Sequence, residues 1–439
     1  MYEIKKEKLE ELKNEYMQQD IYTVARHALS KQKISDLSKD TSRTEFTRNH
    51  FSINIKTLPV ADQMNSGRCW IFAACNVLRE RIAKKYNLEK FEISQSYIAF
   101  YDKLEKCNYF MTSIAQLKDA PKGDRTVDHI LKSGIEDGGQ WDMFVNIVNK
   151  YGVVPKYAFP ETFQSSHTGG INLFLNRYVR KFAYEIKKLS SEEEISKLQE
   201  TYMENIYRSL CSTYGVPPTK FDFEYEDKDN NYGIVKNLTP KEFLENYIEM
   251  NLNDYVSIIH SPTEDKPFHH TYTVKYLGNV VEGTKIKYLN LEMDRMKELA
   301  IAQLKSEEPV WFGSDCSKDA DRDDGVWDDR TFDTDKLFQI DTTLSKEAML
   351  DYRDSAMNHA MVITGVNLEE EKPTKWKIEN SWGEKVANKG YYVASDSWFD
   401  KYVYQVVVNK KYLSPEEQQA WEQEPIGLEP WDPMGTLAE

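Results

Sequence analysis

Asp62-Gln63-Met64-Asn65-Ser66-Gly67-Arg68-Cys69-Trp70 is the stretch on which the reading of this chain turns. Gly67 supplies a turn. From Cys69 onward Trp70, Ala73, Ala74, Val77, Leu78 and Ile82 recur at three- and four-residue steps, which predicts an apolar helix running to about Tyr86. A cysteine that opens a helix lies at the positive end of its dipole, which favours the thiolate, the nucleophilic form of sulfur. Its own N–H, unpaired at a helix start, can donate to a developing oxyanion, and the side-chain amide of Gln63 offers a second donor. An isolated cysteine is ordinarily a small buried hydrophobe. The glycine turn, the helix start and the upstream glutamine argue here for chemistry.

A nucleophilic thiol needs a base, and the base needs a group to orient it. Asn358-His359-Ala360-Met361-Val362-Ile363-Thr364-Gly365 reads as a histidine opening a strand. Trp376-Lys377-Ile378-Glu379-Asn380-Ser381-Trp382-Gly383 reads as the next strand, with an asparagine at its end. Antiparallel pairing of the two through a polar loop, Leu368 to Lys375, sets His359 beside Asn380. The asparagine carbonyl then fixes the imidazole tautomer, and Trp382 shields that hydrogen bond from water.

Composition bounds the setting. The chain has 439 residues, a formal net charge of −15, 40% hydrophobic and 13% aromatic residues. That is room for two or three packed units and excludes a disordered chain. The acidic balance argues against nucleic acid as a partner. No apolar run approaches the ~18–20 residues that span a bilayer, and Met1-Tyr2-Glu3-Ile4-Lys5-Lys6-Glu7 carries charge where a signal peptide is apolar. The five scattered cysteines, Cys69, Cys75, Cys107, Cys211 and Cys316, include no Cys-x-x-Cys pair. This fits a reducing, cytoplasmic compartment, with the other four as core residues. The acidic run Asp319 to Gly325 has Asp324 where a calcium loop needs glycine, and His269-His270 lacks companion ligands, so neither metal nor cofactor is expected.

Along the chain, residues 1–60 read as an N-terminal helical and extended segment, with Leu9, Leu12 and Tyr16 on one helix face. Residues 61–160 form a helical lobe with Cys69, including a helix from Trp141 to Tyr151 stopped by Gly152. Residues 161–255 read as an almost wholly helical insertion, with capping boxes at Ser191/Glu194 and Thr239/Glu242. The period then shifts to two, giving a β-rich lobe over 256–413 with His359 and Asn380. Residues 414–439 form a C-terminal arm, extended from Pro425 onward and stiffened by prolines 425, 430 and 433, with Trp431 as its anchor.

Taken together, these segments resemble the papain-like cysteine peptidases, and within them the bleomycin hydrolase and bacterial aminopeptidase C branch. The resemblance extends to Glu136-Asp137-Gly138-Gly139-Gln140-Trp141-Asp142-Met143, to Tyr151-Gly152-Val153-Val154-Pro155-Lys156, and to the ending Pro430-Trp431-Asp432-Pro433-Met434-Gly435-Thr436-Leu437-Ala438-Glu439. It implies an α+β fold: a papain-like two-lobed core, helical lobe plus β-rich lobe, with a helical insertion and a C-terminal arm. It also implies a cytoplasmic thiol aminopeptidase releasing N-terminal residues through a thioester. In that scheme Cys69 is the nucleophile, His359 the general base, Asn380 the orienter and Gln63 the oxyanion donor. Gly138 and Gly139 match the strip that binds substrate backbone. Trp382, Ala438 and Glu439 complete the substrate-binding set, the arm's end facing the free α-ammonium of the peptide. The resemblance further implies a homohexamer. Arg68 and Ser66 stand where secreted relatives carry serine and a disulfide-forming cysteine. Two rivals are a Cys-His acyltransferase, which uses the same triad to make amides, and a non-catalytic oligomeric peptide- or nucleic-acid-binding protein. The intact set of four residues argues against the second.

Overall fold

The helix that Cys69 opens runs Cys69–Lys85, and its first three turns are buried on every side, Trp70, Ile71, Phe72, Ala74 and Leu78 among them. A helix apolar all round belongs in the centre of a domain. This one packs against the helices Gln95–Gln116 and Trp141–Tyr151 on one flank and the strand His359–Glu369 on the other. Each large side chain so buried contributes roughly 1.5–3 kcal/mol. The computed structural model describes residues 1–43 and 48–438. Glu439, assigned above to the substrate site, lies outside the described residues.

Among the described residues, one large mixed sheet carries most of the second half of the chain. Its strands run in the order Ile426–Leu428, Thr271–Val274, Tyr288–Asn290, Tyr255–Ile259, Val403–Asn409, Val310–Ser314, His359–Glu369, Lys372–Glu379, Tyr391–Ser395, Val326–Trp327 and Ala320–Asp321. The short strand Ile53–Asn54 also pairs with the histidine strand. One face packs on the helical lobe. The other is covered by the helix Met293–Lys305 and by Trp398 and Phe399, with Trp376 of the sheet stacked on Phe399. A buried ion pair crosses between the halves: Arg79, on the cysteine helix, reaches Glu379 at 2.8 Å and the Leu58 carbonyl at 3.2 Å.

The histidine and asparagine strands pair antiparallel as the sequence implies, with Val362 opposite Glu379. Their connection differs. The strands continue through the polar stretch and close in a two-residue turn at Glu370 and Glu371, both left-handed with φ of 50° and 64°. That is the backbone of a primed hairpin turn, whose twist matches that of the strands.

The insertion is not wholly helical. Its helices Gly169–Ile186 and Glu192–Tyr214 are present, the second with the Ser191/Glu194 capping box. They are followed by an antiparallel hairpin, Phe221–Glu226 with Tyr232–Leu238. Phe221, Phe223 and Tyr225 alternate with acids, a period of two, and Phe223 is buried against Tyr86, Phe91 and Phe243. The C-terminal arm is likewise not extended throughout. After the strand Ile426–Leu428 it ends in a tight helical turn, Pro433–Ala438. Asp432 starts that turn by accepting the Met434 N–H on its carboxylate and the Gly435 N–H on its carbonyl, the local bonding by which aspartate favours turns. Trp431 anchors the arm as expected, with the Arg125 guanidinium 3.7 Å from its ring centroid.

The N-terminal helices Lys6–Met17 and Asp20–Leu29 bury no residue, and Leu9, Leu12, Ile21 and Val24 are exposed. Among the described residues no helix is long and apolar enough to cross a membrane.

Candidate active site

Cys69 lies at the meeting of the helical lobe and the sheet. Arg68 precedes the helix, and its carbonyl accepts the N–H groups of Ile71 and Phe72 at 3.0 and 3.1 Å. Its buried guanidinium pairs with Glu161 at 3.1 Å and bonds Ser66 at 2.9 Å, so these two residues fix the entry to the helix. The adjoining glycine turn is held by Asp137, whose carboxylate accepts the Gly67 N–H at 2.9 Å and whose carbonyl accepts the Trp70 indole N–H at 2.7 Å. Burial works against ionisation of Asp137. The Lys103 ammonium at 2.5 Å, with hydrogen bonds from Lys103, Thr168 and Gly67, overrides it and holds the carboxyl well below the usual range.

The sheet brings the other groups to the same place. His359 Nε2 meets Asn380 Oδ1 at 2.8 Å, which leaves Nδ1 for a partner in the cleft. The N–H of Ala360, the next residue, points at Cys69 Sγ at 3.5 Å. Trp382 stacks on His359 with ring centroids 5.0 Å apart and planes 28° apart. Asn358, just before the histidine, donates to Asp315 Oδ1 at 2.6 Å and accepts the Cys316 N–H at 3.1 Å, locking the start of the strand.

Gln63 is buried and clamped at both ends of its amide. Its Nε2 donates to the Ser66 carbonyl at 2.6 Å, and its Oε1 accepts from Ser381 Oγ at 2.6 Å. One amide hydrogen is therefore left over. The Gln63 N–H also bonds the Ser381 carbonyl at 2.9 Å, so the residues beside Asn380 hold the oxyanion-donor candidate directly.

Burial adds an effect on both ionisable groups that the sequence does not show. The helix start does favour the thiolate, but burial is the larger effect and pushes the Cys69 thiol up to about 11, against the Ala360 and Trp70 amides. Burial likewise pushes the His359 imidazole down to about 4, against its bond with Asn380, and Arg322 adds to the lowering. Burial thus works against the charged form of each group taken singly, while a thiolate and an imidazolium formed together would stabilise each other.

Gly138 and Gly139 lie beside Trp70 and carry the end of the arm. The Gly139 N–H donates to the Leu437 carbonyl at 3.2 Å. A Cβ on Gly138 would stand 2.4 Å from that carbonyl oxygen and 2.9 Å from Ala438, and one on Gly139 would stand 2.4 Å from the Trp70 ring. Only glycine permits both approaches. Thr436 donates to the carbonyl of Met357, two residues before His359, at 2.8 Å, so the arm touches both sides of the cleft. Ala438 also closes a cavity of about 80 Å³ lined by Tyr109, Phe110, Met143, Tyr276 and Leu277.

The structure thus gathers Cys69, His359, Asn380, Gln63 and Trp382 at one cleft, with Gly138, Gly139 and Ala438 beside them. This arrangement can transfer an acyl group: the thiol touches the N–H of the residue that follows the oriented imidazole, and Gln63 is tied to the residue that follows Asn380. The profile of the Peptidase C1-like family matches residues 3–435. The chain belongs to the Peptidase C1-like family. Among its relatives there, Aminopeptidase C of Lactobacillus delbrueckii subsp. lactis is 44% identical over 443 residues, 99% of each chain. Aminopeptidase C of Listeria monocytogenes is 47% identical over 389 residues, 88% of each chain. Bleomycin hydrolase of Homo sapiens is 41% identical over 394 residues, 87% of this chain and 86% of that one. The crystal structure of PepW from Lactobacillus rhamnosis superposes with a TM-score of 0.97 at 45% identity, covering 99% of each chain. This Peptidase C1-like protein is a cysteine aminopeptidase of α+β, papain-like fold.

Three residues of the site were not singled out from sequence. Asp137 stands in a quoted motif, but only its glycines drew attention. Ser381 follows Asn380 directly and orients Gln63. Arg322, 5.0 Å over the Trp382 ring, lies in the acidic run weighed only for calcium.

Proposed function

We propose that Cys69 is the nucleophile, His359 its general base and Asn380 the group that orients it. The thiol proton passes to His359 Nδ1 as sulfur attacks the scissile carbonyl. The oxyanion takes hydrogen bonds from the Cys69 N–H and the remaining Gln63 amide hydrogen. His359 then protonates the leaving amine, and water, deprotonated by the same imidazole, hydrolyses the thioester.

The observation that carries the specificity is the bond between the Gly139 N–H and the Leu437 carbonyl. The arm takes up the backbone donor on which the acyl side of a long substrate would lie. A peptide therefore fits only with its first residue against the end of the arm, and Ala438 faces the end that carries the free α-ammonium. The substrates are peptides with a free N-terminus, and Trp382 shields the base. The protein works in the cytoplasm, a reading supported by its unpaired cysteines. It assembles as a homohexamer, supported by N-terminal helices that bury no residue among the described residues. The test compares an aminoacyl arylamide with its N-acetylated form. The intact enzyme is expected to cleave the first and spare the second, and iodoacetamide to label Cys69 alone as activity is lost. Equal cleavage of the two would overturn the role of the arm, and labelling elsewhere would overturn that of Cys69.

A further inference from the structure

The hairpin Ala320–Asp321/Val326–Trp327 projects an arginine over the base side of the cleft. Arg322 is exposed, and its guanidinium carbon lies 5.0 Å from the Trp382 ring centroid. Trp382 in turn stacks on His359, so the indole is the neighbour of both the guanidinium and the imidazole. Among the described residues Arg322 makes no ion pair. Of the three acids next to it in the hairpin, two are committed elsewhere: Lys39 takes Asp321 at 2.5 Å and Asp324 at 2.8 Å. Asp323, beside it, is exposed. An arginine held over an aromatic ring without an ion-pair partner keeps donors free, in the fork that fits a carboxylate.

The chemistry says which half of a substrate this arginine meets. The acyl half lies along Gly138 and Gly139, where the arm ends. The leaving amine must be next to the imidazole that protonates it, and what flanks that imidazole is Trp382, with Arg322 above it. We propose that Arg322 binds a carboxylate on the leaving-group side of the scissile bond. This rests on the assignment of Cys69 and His359 given above. Two substrate classes carry such a group: dipeptides, through their terminal carboxylate, and longer peptides with an acidic residue just after the bond. Neutralising Arg322 with a bound carboxylate also removes a cation that opposes protonation of His359, at the step where the imidazole must hold a proton.

The experiment measures kcat/KM for Ala-Phe against Ala-Phe-amide, and for Ala-Asp-amide against Ala-Asn-amide, in the wild type, R322Q, R322K and R322E. Cleavage of Ala-arylamide by the wild type and its loss in Cys69→Ser check the underlying assignment separately. The wild type should prefer the carboxylate member of at least one pair. R322Q should lower that preference about five- to tenfold, the range for a charge-assisted hydrogen bond at a partly exposed site. R322K should restore part of it, R322E should invert it, and added salt should weaken it in the wild type only. A response in the first pair assigns dipeptides, and one in the second assigns acidic residues after the bond. An arginine that merely steadied Trp382 would slow both members of a pair alike, leaving the ratios unchanged in every variant. That result would overturn the proposal even with Cys69→Ser inactive.

Discussion

Deleting residues 437–439 tests the arm most directly. Leu437 is 3% exposed and Ala438 9%; covering those side chains contributes about 3 kcal/mol. The Leu437 carbonyl adds about 1 kcal/mol through its bond to Gly139. Ordering two residues opposes this by about 2–3 kcal/mol. The net hold is then about 1.5 kcal/mol, roughly a tenfold bias toward the covered cleft. A blocked peptide must displace the arm, whereas a free aminoacyl substrate need not. The deletion should therefore raise kcat/KM for an N-acetyl-peptidyl arylamide by about tenfold, and the ratio of free to blocked substrate should fall by at least that factor. Fluorescence release at substrate concentrations well below KM gives kcat/KM directly, and circular dichroism checks the fold. Gly138→Ala, whose Cβ would stand 2.4 Å from the Leu437 oxygen, also expels the arm, but it obstructs both substrates, so the deletion is the discriminating change. A free-to-blocked ratio within about twofold of the intact enzyme would refute the reasoning.

Four further outcomes are expected. Asn380→Ala should slow turnover by about tenfold, the worth of one hydrogen bond to a charged group, while His359→Ala should cost about 100-fold or more; a well-folded Asn380→Ala that is the worse enzyme would reverse the two roles. Arg79→Leu strands Glu379 in the core and should destabilise the fold by roughly 3–5 kcal/mol, read from urea midpoints, and a loss under about 1 kcal/mol would mean that the ion pair is not holding the two halves. His260, pushed down to about 4 chiefly by burial with Lys346 adding, binds fewer protons folded than unfolded, so it withdraws stability as pH falls from 6.5 toward 4; His260→Gln should spare about 2 kcal/mol of that loss between pH 7 and 5, and an unaltered pH dependence would contradict the assignment. Light scattering should give about six times the 51.4 kDa chain, and a fully active monomer would remove the assembly from the picture.

The site was legible where chemistry leaves a local mark. A glycine turn before a helix-opening cysteine, and a histidine and an asparagine at the ends of successive strands, are patterns within a dozen residues. The missing parts act across the fold. Asp137 works through the turn at Gly67, 70 residues away, and through a buried lysine, and no spacing rule links them. The opposing effect of burial on the thiol and the imidazole was not legible, because the dipole of a helix can be read from sequence, whereas the depth at which the fold buries its first residue cannot. The hairpin at Phe221–Glu226 was readable, since its aromatics alternate strictly, but capping boxes on both sides drew the whole stretch toward helix. The arm's closing turn depends on Asp432 bonding forward, which outweighed the extended bias of the prolines.

The turn at Glu370 and Glu371 acts as a ruler for the active site. The histidine strand is registered against Val310–Ser314 on one side, and the asparagine strand against Tyr391–Ser395 on the other. The hairpin between them is the seam at which those two alignments must agree. Surface turns generally accept inserted or deleted residues over evolutionary time, but a length change here would slide one strand along the other, and a step of one residue swaps the faces on which side chains project. This exposed turn, remote from any substrate, should therefore keep its length as closely as the catalytic residues keep their identity.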